Sequence, residues 1–161
     1  MAKEKNYSDQ LIDNFKNKYK LEAGDFWELK QKAGTWIITH KACEKIAYIE
    51  GYRYKIEVLN FNPDALIKCT GSTSDGSITI ETLGEASPKN THNQYPYAMA
   101  EKRAVDRCIL KLANAYGYIY SAEESEDFKE EKNVDPKDNI DKLAKNSPTN
   151  KENVNESSYA Q

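Results

Sequence analysis

The stretch that decides the fold is Tyr95–Gly117, YPYAMAEKRAVDRCILKLANAYG. Pro96 stands where a helix begins, because its missing N–H would have no intrahelical acceptor there. Gly117 is a natural terminator. At about 100° per residue, Ala98, Val105, Cys108, Ile109, Leu112 and Tyr116 gather on one side. That stripe is the face expected to pack on a sheet. Arg103, Arg107 and Lys111 repeat at i, i+4 and i+8 on the opposite side, with Ala100 and Asn114 beside them and Lys102 at the boundary. Such a rail of cations suits a phosphate backbone, although basic residues on an outer helix face are also the ordinary solvated surface. Glu101 lies near the apolar stripe and calls for a partner, with Arg53 a candidate.

Working outward, the residues before this helix read as strands. Tyr52, Tyr54, Ile56 and Val58 alternate with Arg53, Lys55, Glu57 and Leu59, a period of two that predicts a half-buried face. Ala65–Thr73 and Ser77–Leu83 follow, joined by a turn carrying Asp75-Gly76, a hairpin signal. The polar segment Gly84–Gln94 reads as a loop. Upstream, a helix with Leu11, Ile12, Phe15 and Tyr19 on one stripe precedes two short extended pieces, Phe26–Leu29 and Thr35–Thr39. Thr39 can then cap a helix His40–Ile49 that Gly51 stops. After the long helix, Tyr118–Tyr120 returns extended, and Ser121 with Glu124 forms an S-x-x-E capping box whose short helix Phe128 would anchor. The expected fold class is α+β: an antiparallel β-meander packed against a long α-helix, a β-β-β-α core, with an N-terminal helix and hairpin.

Charge divides the chain. The 161 residues carry 23 Lys+Arg against 26 Asp+Glu, a net of −3. Residues 1–120 are slightly basic, while residues 121–161 are strongly acidic. The expected organisation is a folded domain over 1–128 and a disordered Lys/Asn/Glu-rich tail over 129–161, which has too few apolar residues to offset ordering entropy. No apolar run approaches the roughly 18 residues of a membrane span, and the start MAKEKNYSDQ has no signal-peptide character. Cys43, Cys69 and Cys108 are widely spaced, and His40 and His92 are the only histidines, so neither a disulfide framework nor a zinc site is expected. The expected setting is a reducing cytoplasm.

Enzyme motifs are missing: no Walker A, G-x-G-x-x-G, G-x-S-x-G or H-E-x-x-H occurs. The nearest nuclease-like pattern, Pro63-Asp64 with Glu81-Thr82-Leu83, lacks its lysine. No catalytic residue, cofactor or metal is expected. Eleven tyrosines, among them Tyr95 and Tyr97 before the helix, are material for base stacking.

The stretch GEASPKNTHNQYPYAMAEKRAVDRCILKLANAYGYIYSAEESEDF, residues 84–128, resembles the phage single-strand annealing proteins of the Sak type. ITHKACEKIAYIEGYRY, residues 38–54, is similar to the helix-then-strand segment of the wider Rad-fifty-two-like group. The resemblance covers about residues 36–128. It implies a single-stranded DNA-binding and annealing protein of phage recombination or replication, working without ATP in the bacterial host's cytoplasm. It further implies rings or filaments of identical subunits, with DNA in a basic groove formed by the strands and the long helix. The DNA-contacting residues would then be Lys102, Arg103, Arg107, Lys111, Arg53, Lys55, Tyr95 and Tyr97. One departure stands out: Leu110 and Asn114 occupy positions where the wider group would carry Lys or Arg, so the cations have shifted towards the helix N-terminus. A single-strand-binding protein or an exonuclease is a candidate partner for the tail. The competing expectation is a non-enzymatic interaction protein that binds a replication or host factor.

Overall fold

The computed structural model describes residues 7–61, 63–91 and 94–126. Contacts divide the chain into two units, Met1–Lys129 and Glu130–Gln161. Everything described belongs to the first; the tail and Phe128 lie outside the described residues. The fold is α+β, with three α-helices and two three-stranded sheets among the described residues.

The N-terminal layer forms from α1 (Tyr7–Lys18), the hairpin β1 (Phe26–Glu28) and β2 (Trp36–Ile38), and α2 (His40–Glu50). Ile12 and Phe15 on one stripe of α1 are buried. An aromatic chain continues from them: Phe15 meets Tyr19 edge-on at 5.0 Å, and Phe26 stacks on Trp36 at 4.8 Å. The Tyr19 hydroxyl donates to Glu50 Oε1 at 2.8 Å, joining α1 to α2. The capping of α2 follows the sequence: the Ala42 N–H donates to Thr39 Oγ1 at 3.2 Å, and Gly51 ends the helix with φ of 71°.

The meander consists of β3 (Arg53–Asn60), β4 (Ala65–Ser72) and β5 (Thr79–Ala86), antiparallel in that order. At the β4–β5 turn Gly76 takes the left-handed conformation. Asp75 Oδ1 accepts from the Ser77 N–H and from the Thr73 and Ser77 hydroxyls. These donors lower the Asp75 pKa to about 2. Residues 84–86, expected in a loop, continue β5, and the reason is packing. A Cβ built on Gly84 would lie 2.1 Å from the Ala100 carbonyl oxygen and 2.5 Å from Ala104 N. Glycine here marks the close approach of another backbone rather than a turn.

The long helix α3 (Pro96–Leu112) crosses β4 and β5. Its sheet-facing stripe is Ala100, Ala104, Cys108 and Leu112: the first two meet Gly84, the latter two meet Gly71, and the Thr82 hydroxyl donates to the Ala104 carbonyl at 2.6 Å. Small size selects this stripe. Hydropathy alone centres the contact elsewhere and leaves Ala100 beside the cations. The helix also ends earlier than expected. Asn114, with φ of 57°, is the left-handed residue, and the Ala115 N–H returns to the Leu110 carbonyl at 2.8 Å. That six-to-one closure is a Schellman motif with Asn in the glycine position.

The chain then returns as β6 (Ile119–Ser121), which pairs parallel with β2 and completes the sheet β1-β2-β6. A 3-10 turn, Glu124–Glu126, follows, with the Glu124 N–H on Ser121 Oγ at 3.3 Å. Half of the expected capping box is therefore present; the Glu124 side chain goes elsewhere. Among the described residues no helix is long and apolar enough to cross a membrane.

Candidate nucleic-acid interface

Two of the three cations in the expected rail, Arg103 and Arg107, are turned to internal partners rather than to solvent. Arg103 is 2% exposed. Its Nη1 donates to the Glu85 carbonyl at 2.8 Å and to Asn90 Oδ1 at 3.1 Å, and its Nη2 to the carbonyls of Asn90 at 2.7 Å and Glu123 at 3.2 Å. Arg107 pairs through Nε with Glu124 and donates from Nη1 to the Leu83 carbonyl at 2.6 Å. Lys102 lies at the rim, 3.8 Å from Glu123. The physical reason is a third neighbour of α3. A wheel divides the helix between a sheet and water, but the returning segment 119–126 covers the side that carries the arginines. Arg forks suit this task, since one planar group reaches several carbonyls. The acidic pair Glu123-Glu124 was the sequence signal for it.

Lys111 keeps an open position. It is exposed, with Nζ 5.0 Å over the Tyr116 ring, and Tyr116 meets Tyr120 edge-on at 5.8 Å. Among the described residues Lys111 has no carboxylate partner. Tyr116 is exposed, so this end of α3 offers a cation beside an aromatic face. The sequence reading placed Tyr116 in the apolar stripe and missed the pair with Tyr120. Early termination of the helix at Asn114 swings Tyr116 out of register.

The other expected residues lie elsewhere. Arg53 and Lys55 are exposed on the sheet face away from α3, opposite in β4 to Ser72 and Thr70. A depression of about 260 Å³ at this end of the sheet is lined by Arg53, Tyr54, Lys55 and Thr70, among others. Tyr95 is exposed ahead of α3, and Tyr97 stacks on Phe61 at 4.2 Å. A bulge between Val58 and Asn60 turns Phe61 towards Tyr97. Glu101 is exposed rather than packed, so it needs no buried partner. Of the eight expected residues, Lys102, Arg103 and Arg107 come together as internal ties, and Arg53 and Lys55 share one sheet face apart from them.

A second polar cluster was not legible. His40 Nδ1 lies 2.7 Å from Asp106 Oδ1, and Nε2 lies 3.2 Å from Glu44 Oε1. Asp106 is fully buried, and desolvation raises its pKa to about 6 against the opposing pull of His40. The hydrogen bond to Asp106 raises the His40 pKa. Burial drives the neighbouring Cys43 thiol well up, so it is no nucleophile. Cys69 and Cys108 are free, buried thiols facing each other across β4 and α3. No group of three or more His, Cys, Asp or Glu among the described residues is arranged to hold a metal ion.

In comparisons with known proteins, no family model, no curated protein and no solved structure matches the chain.

Proposed function

We propose that the chain binds single-stranded DNA and promotes its annealing without ATP, in the recombination or replication of a phage. The observation that supports it best is the open cluster at the end of α3, where the exposed Lys111 ammonium lies over Tyr116, whose ring meets Tyr120 edge-on. A cation beside aromatic faces receives a phosphate and a stacked base together, at ~1–3 kcal/mol per base. Arg53 and Lys55 on β3 supply two further exposed cations. Arg103 and Arg107 hold the fold and leave the phosphate contacts to these residues.

Fluorescence anisotropy with a labelled single-stranded oligonucleotide tests the reading. Three neutralised phosphates give a log–log salt slope of about −2. Lys111→Ala combined with Tyr116→Ala should weaken binding at least tenfold while the thermal midpoint stays close to wild type. Unchanged affinity in that variant, or no binding at low salt, refutes it. The burial of Arg103 and the pairing of Arg107 with Glu124 favour a second reading, a non-enzymatic interaction protein that uses its acidic tail to engage a replication protein. Retention of such a partner that depends on residues 129–161, with no DNA bound, would support it.

A further inference from the structure

The sheet β3-β4-β5 has two edges, and their chemistry differs. On β5 the Leu83 and Glu85 carbonyls accept from Arg107 and Arg103. On β3 nothing among the described residues pairs with the outer side of the strand, and all eight of its residues are exposed. Tyr54, Ile56 and Val58 share the α3-facing side of the sheet with Gly71, Cys69 and Ile67, yet they stay 41%, 42% and 52% exposed because α3 lies over β4 and β5. A long edge strand with an open apolar row is a pairing surface.

The geometry points to a second copy of this chain as the occupant, its β3 running antiparallel to the first about a two-fold axis through Ile56. The self-complementary pattern selects that register. Centred on Ile56, Tyr54 meets Val58 of the other copy and Ile56 meets itself, so the apolar row continues. On the opposite face Lys55 meets Glu57 of the other copy, twice. A centre at residue 55 sets lysine against lysine, and one at 57 sets glutamate against glutamate; like charges directly opposite are unfavourable. The charge row is already under construction within one copy: Lys68 lies 3.3 Å from Glu57 and 3.7 Å from Glu81, while Lys55 has no ion pair among the described residues. The pairing joins two three-stranded sheets into one of six. It is isologous, so it closes at two subunits. On the β5 edge arginines already take the Leu83 and Glu85 carbonyls, which hinders growth of the sheet beyond two copies. The inference does not depend on DNA binding.

Light scattering on the full chain, at micromolar concentrations and without DNA, gives the first readout: twice the chain mass is expected. A mass of one chain overturns the pairing, and so does a larger assembly. The register is read by cysteine cross-linking under mild oxidation. Directly opposite residues have Cα atoms about 4.5–5.5 Å apart, inside the disulfide range. Ile56→Cys should therefore become a covalent dimer. In Val58→Cys the two new thiols are offset by four residues, roughly 13 Å, and should not cross-link. The native cysteines are buried and give little background. Equal cross-linking of both variants, or of neither in a protein that has twice the chain mass, refutes the register. Ile56→Glu should halve the particle mass while the circular dichroism spectrum is retained; a persisting dimer refutes the interface.

Discussion

The two edges of the meander solve the same problem in opposite ways. β5 and β3 are both outer strands of one sheet, each eight residues long. On β5 every second side chain from Thr82 to Ala86 is buried, α3 presses on Gly84, and two arginines take backbone carbonyls. β3 has neither helix nor arginine over it. Its apolar side chains carry as much β-propensity as those of β5, so strand character does not decide which edge is closed. The position of α3 decides it, and that position follows from two glycines and two alanines rather than from hydropathy.

The contrast can be broken at its sealed side first. Arg103→Ala removes the donors from three backbone carbonyls and the Asn90 side chain. Buried acceptors left unpaired cost ~1–3 kcal/mol each, less whatever water regains, so a loss of roughly 3–5 kcal/mol in chemical denaturation is expected. A loss below about 1 kcal/mol, the range of ordinary surface substitutions, together with a tenfold fall in DNA affinity would restore Arg103 to the phosphate rail. Gly84→Ala comes next. Its methyl meets helix backbone that cannot rotate away, and overpacking of this kind costs about 3 kcal/mol. A melting temperature equal to wild type would mean that α3 does not sit on β5 as described.

On the open side the same changes should do little. At concentrations too low for two copies to pair, Val58→Thr keeps the β-branch on a half-exposed position, and a shift within about 0.5 kcal/mol is expected. A larger loss would show that the side chain is covered in the folded chain.

The smallest effect is one of pH. The His40 pKa is raised in the folded state, so its contribution is fully present below 6.5 and is lost as pH rises through the folded value. Asp106 acts with the same sign: its folded pKa of about 6 exceeds the unfolded 3.8, so the folded state binds the proton more tightly and loses stability as pH rises through 6. The thermal midpoint should decline from pH 6 to pH 8, and His40→Gln should flatten the upper part of that decline. A midpoint that rises over this interval contradicts the His40–Asp106 pairing.

Locally encoded features were legible in the sequence. Thr39 and Gly51 bracket α2 because a cap bonds within its own turn, and the Asp75-Gly76 turn needs no distant partner. The alternation of β3 gave the strand, but its expected half-buried face stays exposed because α3 lies over β4 and β5. What escaped was set by contacts far along the chain. Arg103 and Arg107 read as solvent-facing because the segment that covers them arrives only after residue 118. Of the sheet-facing stripe of α3, Cys108 and Leu112 were legible from hydropathy, while Ala100 and Ala104 were missed because close approach to Gly84 favours small side chains over apolar ones. Gly84 looked like loop composition for the same reason. The helix end moved from Gly117 to Asn114 because asparagine also tolerates the left-handed region. His40 and Asp106 come together from different helices, and no spacing announces such a pair.

The parallel pairing of Trp36 with Ile119 has a consequence in time. The meander and α3 are neighbours along the chain and can collapse early, whereas β2 and β6 must close the longest loop of any strand pairing among the described residues before any bond rewards it. Glu123 and Glu124 reach Arg103 and Arg107 only when that loop shuts. A chain emerging from synthesis therefore passes through a stage in which the meander and α3 exist with the contacts of Arg103 and Arg107 to residues 123 and 124 unmade and the β3 border bare. Refolding at high concentration should expose that stage as transient aggregation, which fades as the last strand docks.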